Sequence, residues 1–97
     1  MIEIELLFYL FLLMERDVNV IKEFLKAGVD INTKTYWGET TIMFASYYNK
    51  IEVIELLIQN GANINERSPG GWTALTFAIE RDNRDSIQLL RKYGAIL

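Results

Sequence analysis

A chain of 97 residues has the length of one small domain, and a composition of 51% hydrophobic and 24% charged residues with one proline is typical of a folded protein. The formal net charge is −3 with acidic and basic residues interspersed, which excludes a basic stripe that could bind nucleic acid. The absence of cysteine and histidine excludes disulfides, cysteine-ligated metals and catalysis by a thiolate or an imidazole. We therefore expect no cofactor, no metal and no enzyme.

The first predicted element is an apolar helix at Leu6 to Met14. This run lacks the basic start of a secretory signal, because Glu3 and Glu5 precede it and the first basic residue is Arg16. It is also shorter than the roughly 20 apolar residues that a membrane span requires. The sequence therefore predicts a buried helix in a cytoplasmic protein that contacts no membrane.

Apolar side chains surround this first helix on every side, whereas a helix at the end of a domain has neighbours on only one or two sides. An exposed apolar patch of that size is typical of an association surface. The sequence thus predicts a homodimer, or an obligate partner contact, through this end of the chain. The predicted self-association residues are Leu6, Leu7, Phe8, Leu10, Leu13 and Met14.

The elements that follow repeat with a period of 33 residues. The segment from Gly38 to Ala45 recurs from Gly71 to Ala78 with Gly, Thr, Phe and Ala identical. The same step also relates the second helices of three units, through Ile21, Phe24, Leu25 and Gly28, then Ile54, Leu57, Ile58 and Gly61, then Ile87, Leu90 and Gly94. Such a period is the signature of a repeat protein. We predict a single domain, 1–97, with units at about 1–34, 35–67 and 68–97.

Each unit is predicted to be a pair of antiparallel helices. In the middle unit Thr40 is placed to cap the first helix through its hydroxyl group. The second helix is expected at about Ile51 to Gln59, because Gly61 follows where a left-handed C-terminal cap is needed. In the first unit only the second helix, Val18 to Lys26, matches the pattern.

The last unit is predicted to be a C-terminal cap. There Arg84 and Ser86 occupy the positions that Ile51 and Val53 hold in the middle unit. Polar residues at these positions indicate a final helix that faces water, as a terminal repeat requires.

These motifs resemble the ankyrin-repeat family, whose signature is T-P-L-H-x-A followed by a leucine pair and a G-A-D/N-x-N loop. The middle unit reads Thr40-Thr41-Ile42-Met43-Phe44-Ala45, Leu56-Leu57 and Gly61-Ala62-Asn63-Ile64-Asn65. The resemblance implies an all-α solenoid of stacked antiparallel helix pairs joined by β-turn-like loops. Met43 and Thr76 replace the signature histidine, which implies looser turns because the hydrogen bonds of that histidine to the turn cannot form.

The resemblance also implies a module that binds another protein through its turn tips and the concave face of its first helices. Mapped by the 33-residue step, the predicted partner-binding residues are Tyr36, Trp37, Glu39, Met43, Tyr47, Tyr48, Arg67, Trp72, Thr76, Glu80 and Arg81. Aromatic residues and arginine often dominate binding energy in interfaces. Packing across the turns is an alternative role for Trp37 and Trp72.

Two functions remain open at this point. The first is a protein-binding module, for example an inhibitor or an immunity factor that covers a partner's active surface. The alternative is a structural unit that dimerises through the apolar N-terminal helix and binds no partner through its concave face.

Overall fold

The computed structural model describes residues 18–35 and 37–97, apart from the side chains of Val18 and Val20. The apolar run from Leu6 to Met14 and the predicted contact residue Tyr36 lie outside these residues. The described part of the chain contains the helices α1 (Val18–Lys26), α2 (Thr41–Tyr47), α3 (Ile51–Gln59), α4 (Ala74–Glu80) and α5 (Arg84–Lys92).

The helices form two layers. One layer consists of α2 packed against α4, and the other consists of α3 packed against α1 and α5. The two helices of each pair also contact each other, α2 with α3 and α4 with α5. The architecture is therefore the predicted all-α stack of helix pairs, and the predicted bounds of α1 and α3 are confirmed.

The turn before each helix pair has the same hydrogen bonds in consecutive units. The N–H group of Thr35 donates to the carbonyl of Glu39 at 2.8 Å, and the N–H group of Ser68 donates to the carbonyl of Trp72 at 2.8 Å. The side-chain hydroxyls repeat the pattern, since Thr35 Oγ1 accepts from Glu39 N and Ser68 Oγ accepts from Trp72 N, both at 3.2 Å. Residues that are 33 positions apart in the sequence thus have equivalent places in the two turns.

Asparagine side chains join successive units along the loops that follow the second helices. Asn32 Oδ1 accepts from the N–H group of Asn63 at 2.8 Å, and Asn65 Oδ1 accepts from the N–H group of Ile96 at 3.0 Å. The two bonds are again related by the 33-residue step. Each bond satisfies a backbone donor that would otherwise need water, so it fixes the spacing between units.

All five helices of the described residues contribute side chains to one apolar core. The fully buried members with the largest side chains include Ile21, Ile42, Ile54, Leu57, Leu75 and Leu90. A single helix pair has too little apolar surface to bury alone, so stability in such stacks comes largely from contacts between neighbouring pairs.

The helix caps differ between units. Thr40 is the N-cap residue of α2, as predicted, but it does not cap the helix through its hydroxyl. Thr40 has the extended backbone of a cap residue, but its hydroxyl is buried with no hydrogen-bond partner among the described residues. Thr73 Oγ1, by contrast, accepts from the N–H group of Thr76 at 3.2 Å and lies 3.3 Å from the Thr76 hydroxyl. Met43 replaces Thr76 in the middle unit and offers only a sulfur, which accepts from Thr40 N at 3.4 Å. Thr76 Oγ1 accepts from the N–H group of Thr73 at 2.7 Å, so both substitutes for the signature histidine bond the cap backbone.

The prediction that α5 faces water at Ser86 is also wrong. Ser86 is fully buried, and its hydroxyl donates to Asn49 Oδ1 of the preceding unit at 2.7 Å. The serine side chain is small enough to be buried between the two units, and Asn49 accepts the hydrogen bond of its hydroxyl there. Arg84 is exposed, as predicted.

Candidate functional site

The layer of α2 and α4 carries an open cleft that we call the aromatic groove. Its volume is about 260 Å³, and it is lined by Glu39, Met43, Phe44, Tyr47, Tyr48 and Phe77. The lining comes from the turn before α2, from α2 and its C-terminal cap, and from the centre of α4. The groove therefore spans two consecutive repeats.

The aromatic rings form a continuous row across these two repeats. The ring centroids of Tyr47 and Tyr48 are 5.0 Å apart, and those of Tyr47 and Phe77 are 6.0 Å apart, both in edge-to-face geometry. Phe77 continues the row to Trp72, at 5.0 Å. Contacts of this geometry stabilise ring positions beyond the gain from burial alone. The groove is therefore a prearranged apolar surface.

Arg81 adds a cation at the edge of the groove. Its guanidinium carbon lies 4.7 Å from the centroid of the Tyr47 ring, within the range of a cation–π interaction. Arg81 caps the C-terminal end of α4, one turn after Phe77. Tyr47 is thus in contact with two residues of the next repeat, which makes it the central residue of the groove.

Asn83 holds the end of α2 that carries Tyr47. Its side-chain amide donates to the carbonyl of Ser46 at 2.8 Å and to the carbonyl of Tyr47 at 2.9 Å. These carbonyls are at the C-terminal end of α2, where helix carbonyls lack partners within the helix. The bonds fix the tyrosine backbone to the loop between α4 and α5.

Polar contacts fix the turn regions beside the groove. Lys34 Nζ lies 2.7 Å from Glu66 Oε2, an ion pair between two consecutive repeats. Arg67 donates from Nη1 to the carbonyl of Gly71 at 3.0 Å, within its own turn. The predicted contact residue Arg67 therefore also has a structural role.

Gly38 and Gly71 occupy equivalent turn positions with different surroundings. Both have left-handed backbones, with φ of +81° and +86°. A Cβ atom at Gly38 would lie 2.5 Å from Cδ of Pro69 in the next turn, whereas a Cβ atom at Gly71 would meet no atom within 4 Å. The turns before α2 and α4 are thus in contact at Gly38 and Pro69.

This pair of glycines allows a test of the contact between turns. Gly71→Ala should lower the free energy of unfolding by about 1 kcal/mol, because a left-handed backbone is strained in alanine. Gly38→Ala should lower it by about 2 kcal/mol, because overlap with Pro69 adds to the same strain. Urea unfolding followed by circular dichroism measures both. Equal losses in the two variants would contradict the contact between turns.

Seven of the predicted partner-binding residues line two clefts. Glu39, Met43, Tyr47 and Tyr48 line the aromatic groove. Trp72, Thr76 and Glu80 line a second, more open cleft of about 430 Å³, together with Gly70, Gly71, Ile79 and Leu97. Trp37 is 70% exposed at the turn tip, and Arg67 and Arg81 are also exposed.

Met43 belongs to the lining of the aromatic groove, but its side chain is only 1% exposed and offers a partner almost no surface. Its role as a contact residue stays a prediction. Phe44 and Phe77, which line the groove in the two repeats, were not among the predicted contact residues. The signal was present, because both units carry phenylalanine at the position that the family signature leaves open as x.

A family model for ankyrin repeats matches residues 10–97 as three copies. The search of curated proteins gives no match. Within residues 18–35 and 37–97, no helix has the length and apolar character needed to cross a membrane. The same residues contain no group of three or more acidic, histidine or cysteine side chains arranged to hold a metal ion.

Proposed function

Because the chain belongs to the ankyrin-repeat family, whose members generally mediate contacts between proteins, we propose that it binds a partner protein through the aromatic groove. The observation that carries this proposal is the row of rings centred on Tyr47, which joins two repeats along an open cleft. Aromatic side chains in such positions are the residues that most often dominate binding energy.

The exposure of the groove supports the proposal. Tyr48 is 47% exposed and Trp72 is 39% exposed, and Tyr47 and Phe77 are half-buried. A partner would therefore remove apolar ring surface from water, at a gain of about 25 cal/mol for each Å² buried. Interfaces are typically enriched in tyrosine, tryptophan and phenylalanine at their centres.

The rigidity of the groove is a second support. Tyr47 is held from both sides, by Phe77 and Arg81 through its ring and by Asn83 through its carbonyl. A surface that is ordered before binding loses less conformational entropy when a partner arrives. The rings are therefore suited to recognise a partner rather than only to cover the helices beneath them.

Selection from a random dodecapeptide library displayed on phage tests this proposal and requires no named partner. The wild-type chain should enrich peptides that lose binding to the double variant Tyr48→Ala, Phe77→Ala. Tyr93→Ala is the matched control, since Tyr93 is 39% exposed at the end of α5, outside the groove lining. Circular dichroism should verify that each variant is folded. Enriched peptides that bind the double variant and the wild type equally would contradict the proposal.

The more specific sequence predictions stay predictions. These are a role as an inhibitor or immunity factor, a cytoplasmic location, and a homodimer formed through the N-terminal helix. The last concerns residues outside the described ranges and is tested by light scattering. A dimer that Phe8→Glu or Leu10→Glu converts to a monomer would support self-association.

A further inference from the structure

Arg81 has hydrogen-bonding capacity that its contacts in the fold do not use. It is exposed at the edge of the aromatic groove, and its guanidinium carbon lies 4.7 Å from the centroid of the Tyr47 ring. A contact with a ring provides no oxygen acceptor for the five N–H donors that a guanidinium group carries. These donors therefore stay available at the centre of the proposed binding surface.

Other cations of the same region have acceptors within the fold. Lys34 Nζ lies 2.7 Å from Glu66 Oε2, and Arg67 Nη1 donates to the carbonyl of Gly71 at 3.0 Å. Arg81 differs from them, because no oxygen atom of residues 18–35 and 37–97 forms an ion pair or a hydrogen bond with its guanidinium group. Water or a bound partner can supply the acceptor that these residues do not.

The position of Arg81 means that a partner on the groove also covers its guanidinium group. Tyr47 is the central ring of the row, and the guanidinium group lies over that ring. A segment that covers the Tyr47 ring therefore also removes water from the guanidinium donors. Donors that lose water without gaining an acceptor cost free energy, and the cost is larger for a charged group. A partner that binds the groove well therefore supplies an acceptor at this edge.

A carboxylate is the acceptor best suited to Arg81. Its two oxygens match two N–H groups of the planar guanidinium fork, and hydrogen bonds between charged groups are shorter and stronger than those to a neutral carbonyl. Arg81 is also positioned in advance, because the Tyr47 ring that it contacts is packed against Phe77 and the Tyr47 carbonyl is bonded to Asn83. A side chain that is held before binding loses less entropy when it pairs.

The lining of the groove indicates where an acidic residue of the partner can lie. Glu39 lines the groove from the turn before α2 and already has an interaction within the chain, whereas Arg81 caps the end of α4. Because like charges repel, an acidic residue is favoured at Arg81 and disfavoured beside Glu39. The other lining residues are uncharged and suit an apolar neighbour of that acidic residue; they are Met43, Phe44, Tyr47, Tyr48 and Phe77.

We propose that the partner places an aspartate or glutamate side chain against Arg81, next to an apolar side chain that packs on the rings of Tyr48 and Phe77. This proposal rests on the function proposed above and specifies the chemistry of the partner. The groove volume of about 260 Å³ is sufficient for one apolar side chain, so the occupant is a short acidic and apolar segment of a protein. A basic segment is disfavoured, because it would bring a second cation against Arg81.

The dodecapeptides selected against the groove test the proposal from the side of the partner. They should share an aspartate or glutamate beside an apolar residue. Replacing that acidic residue by its amide, Asp by Asn or Glu by Gln, should weaken binding of a synthetic peptide to the wild-type chain about tenfold in fluorescence anisotropy. Added salt should weaken the acidic peptide more than the amide peptide, because salt screens the pairing of charges.

Substitution of Arg81 tests the same contact from the side of this chain. Arg81→Gln should weaken the acidic peptide about tenfold and the amide peptide by less than about threefold, because the two changes remove the same interaction. Arg81→Lys keeps the charge but loses the planar fork, so it should give an intermediate loss. Arg91→Gln is the matched control, since Arg91 is an exposed arginine on α5 outside the groove lining. Thermal unfolding verifies that each variant is folded.

The possible contradictions can be told apart. Groove-dependent peptides that bind as tightly after the amide replacement would exclude the acidic contact while leaving the proposed function intact. Equal losses of the acidic and amide peptides in Arg81→Gln would likewise overturn the contact with Arg81. A selection that gives no groove-dependent peptide would contradict the proposed function and this inference together. Because the amide peptide is measured on the wild-type chain, the first result does not depend on the folding of any variant.

Discussion

Leu57→Ala should lower the free energy of unfolding by about 3 kcal/mol, measured by urea denaturation followed by circular dichroism. Leu57 is 0% exposed and lies on α3, the helix that packs against α1, α2 and α5. The substitution leaves a cavity where helix pairs meet, so the cost combines lost apolar burial with lost packing. For a domain whose total stability is about 5–15 kcal/mol, this is a large fraction.

Ile79→Ala is the matched control for this prediction. It removes the same number of carbon atoms as Leu57→Ala, but Ile79 is 42% exposed on α4. Its loss should be below about 1 kcal/mol, because less apolar surface returns to water and alanine favours the helix. Similar losses at both positions would mean that α3 is not the centre of the stack.

Tyr47→Ala should weaken the binding of a groove-directed peptide about thirtyfold, which corresponds to about 2 kcal/mol. The ring of Tyr47 contacts Tyr48, Phe77 and Arg81, so its removal breaks the row of rings and frees the guanidinium group. The effect therefore includes lost contact with the peptide and lost order in the groove. Fluorescence anisotropy with a labelled peptide measures the affinity.

Two further variants show whether this loss comes from the ring at that position. Tyr47→Phe should keep affinity within about threefold, because the ring rather than the hydroxyl makes the contacts described. Tyr93→Ala should change affinity by less than about twofold, since Tyr93 lies at the end of α5 and contacts Lys92 and Glu55. If Tyr93→Ala were as damaging as Tyr47→Ala, the loss would reflect the fold rather than the groove.

The helix bounds could be predicted where sequence signals agree. For α1 and α3, apolar residues at helical spacing end at a glycine that takes a left-handed backbone, Gly28 after α1 and Gly61 after α3. The period of 33 residues also located the turns, because Thr35 to Glu39 and Ser68 to Trp72 have the same hydrogen bonds. Local chemistry was sufficient for these features.

The lining of the groove could not be assigned from local chemistry. In α2, Met43 and Phe44 are adjacent and both apolar, and a helix of seven residues gives too few turns to establish which side faces the core. Both residues belong to the groove lining, but the structure buries Met43 and leaves Phe44 half-buried. The choice depends on α4, which packs against α2 and belongs to the next repeat.

Ser86 is a polar residue whose surroundings also could not be predicted from local chemistry. Its place in a terminal helix predicted that it would face water, yet it is fully buried and its hydroxyl donates to Asn49. The two residues are 37 positions apart, so nothing in the local sequence indicates the pair. Contacts between repeats, which also place Tyr47 against Phe77 and Arg81, require the three-dimensional arrangement.

The most direct test of the proposed binding surface is an NMR titration of the ¹⁵N-labelled chain with a selected dodecapeptide. If the aromatic groove binds the peptide, amide shifts should move in α2 and α4 and in the turn that contains Glu39, while those of α1, α3 and α5 stay largely in place. Shift changes confined to α1, α3 and α5, with α2 and α4 unaffected, would contradict the groove as the site of binding.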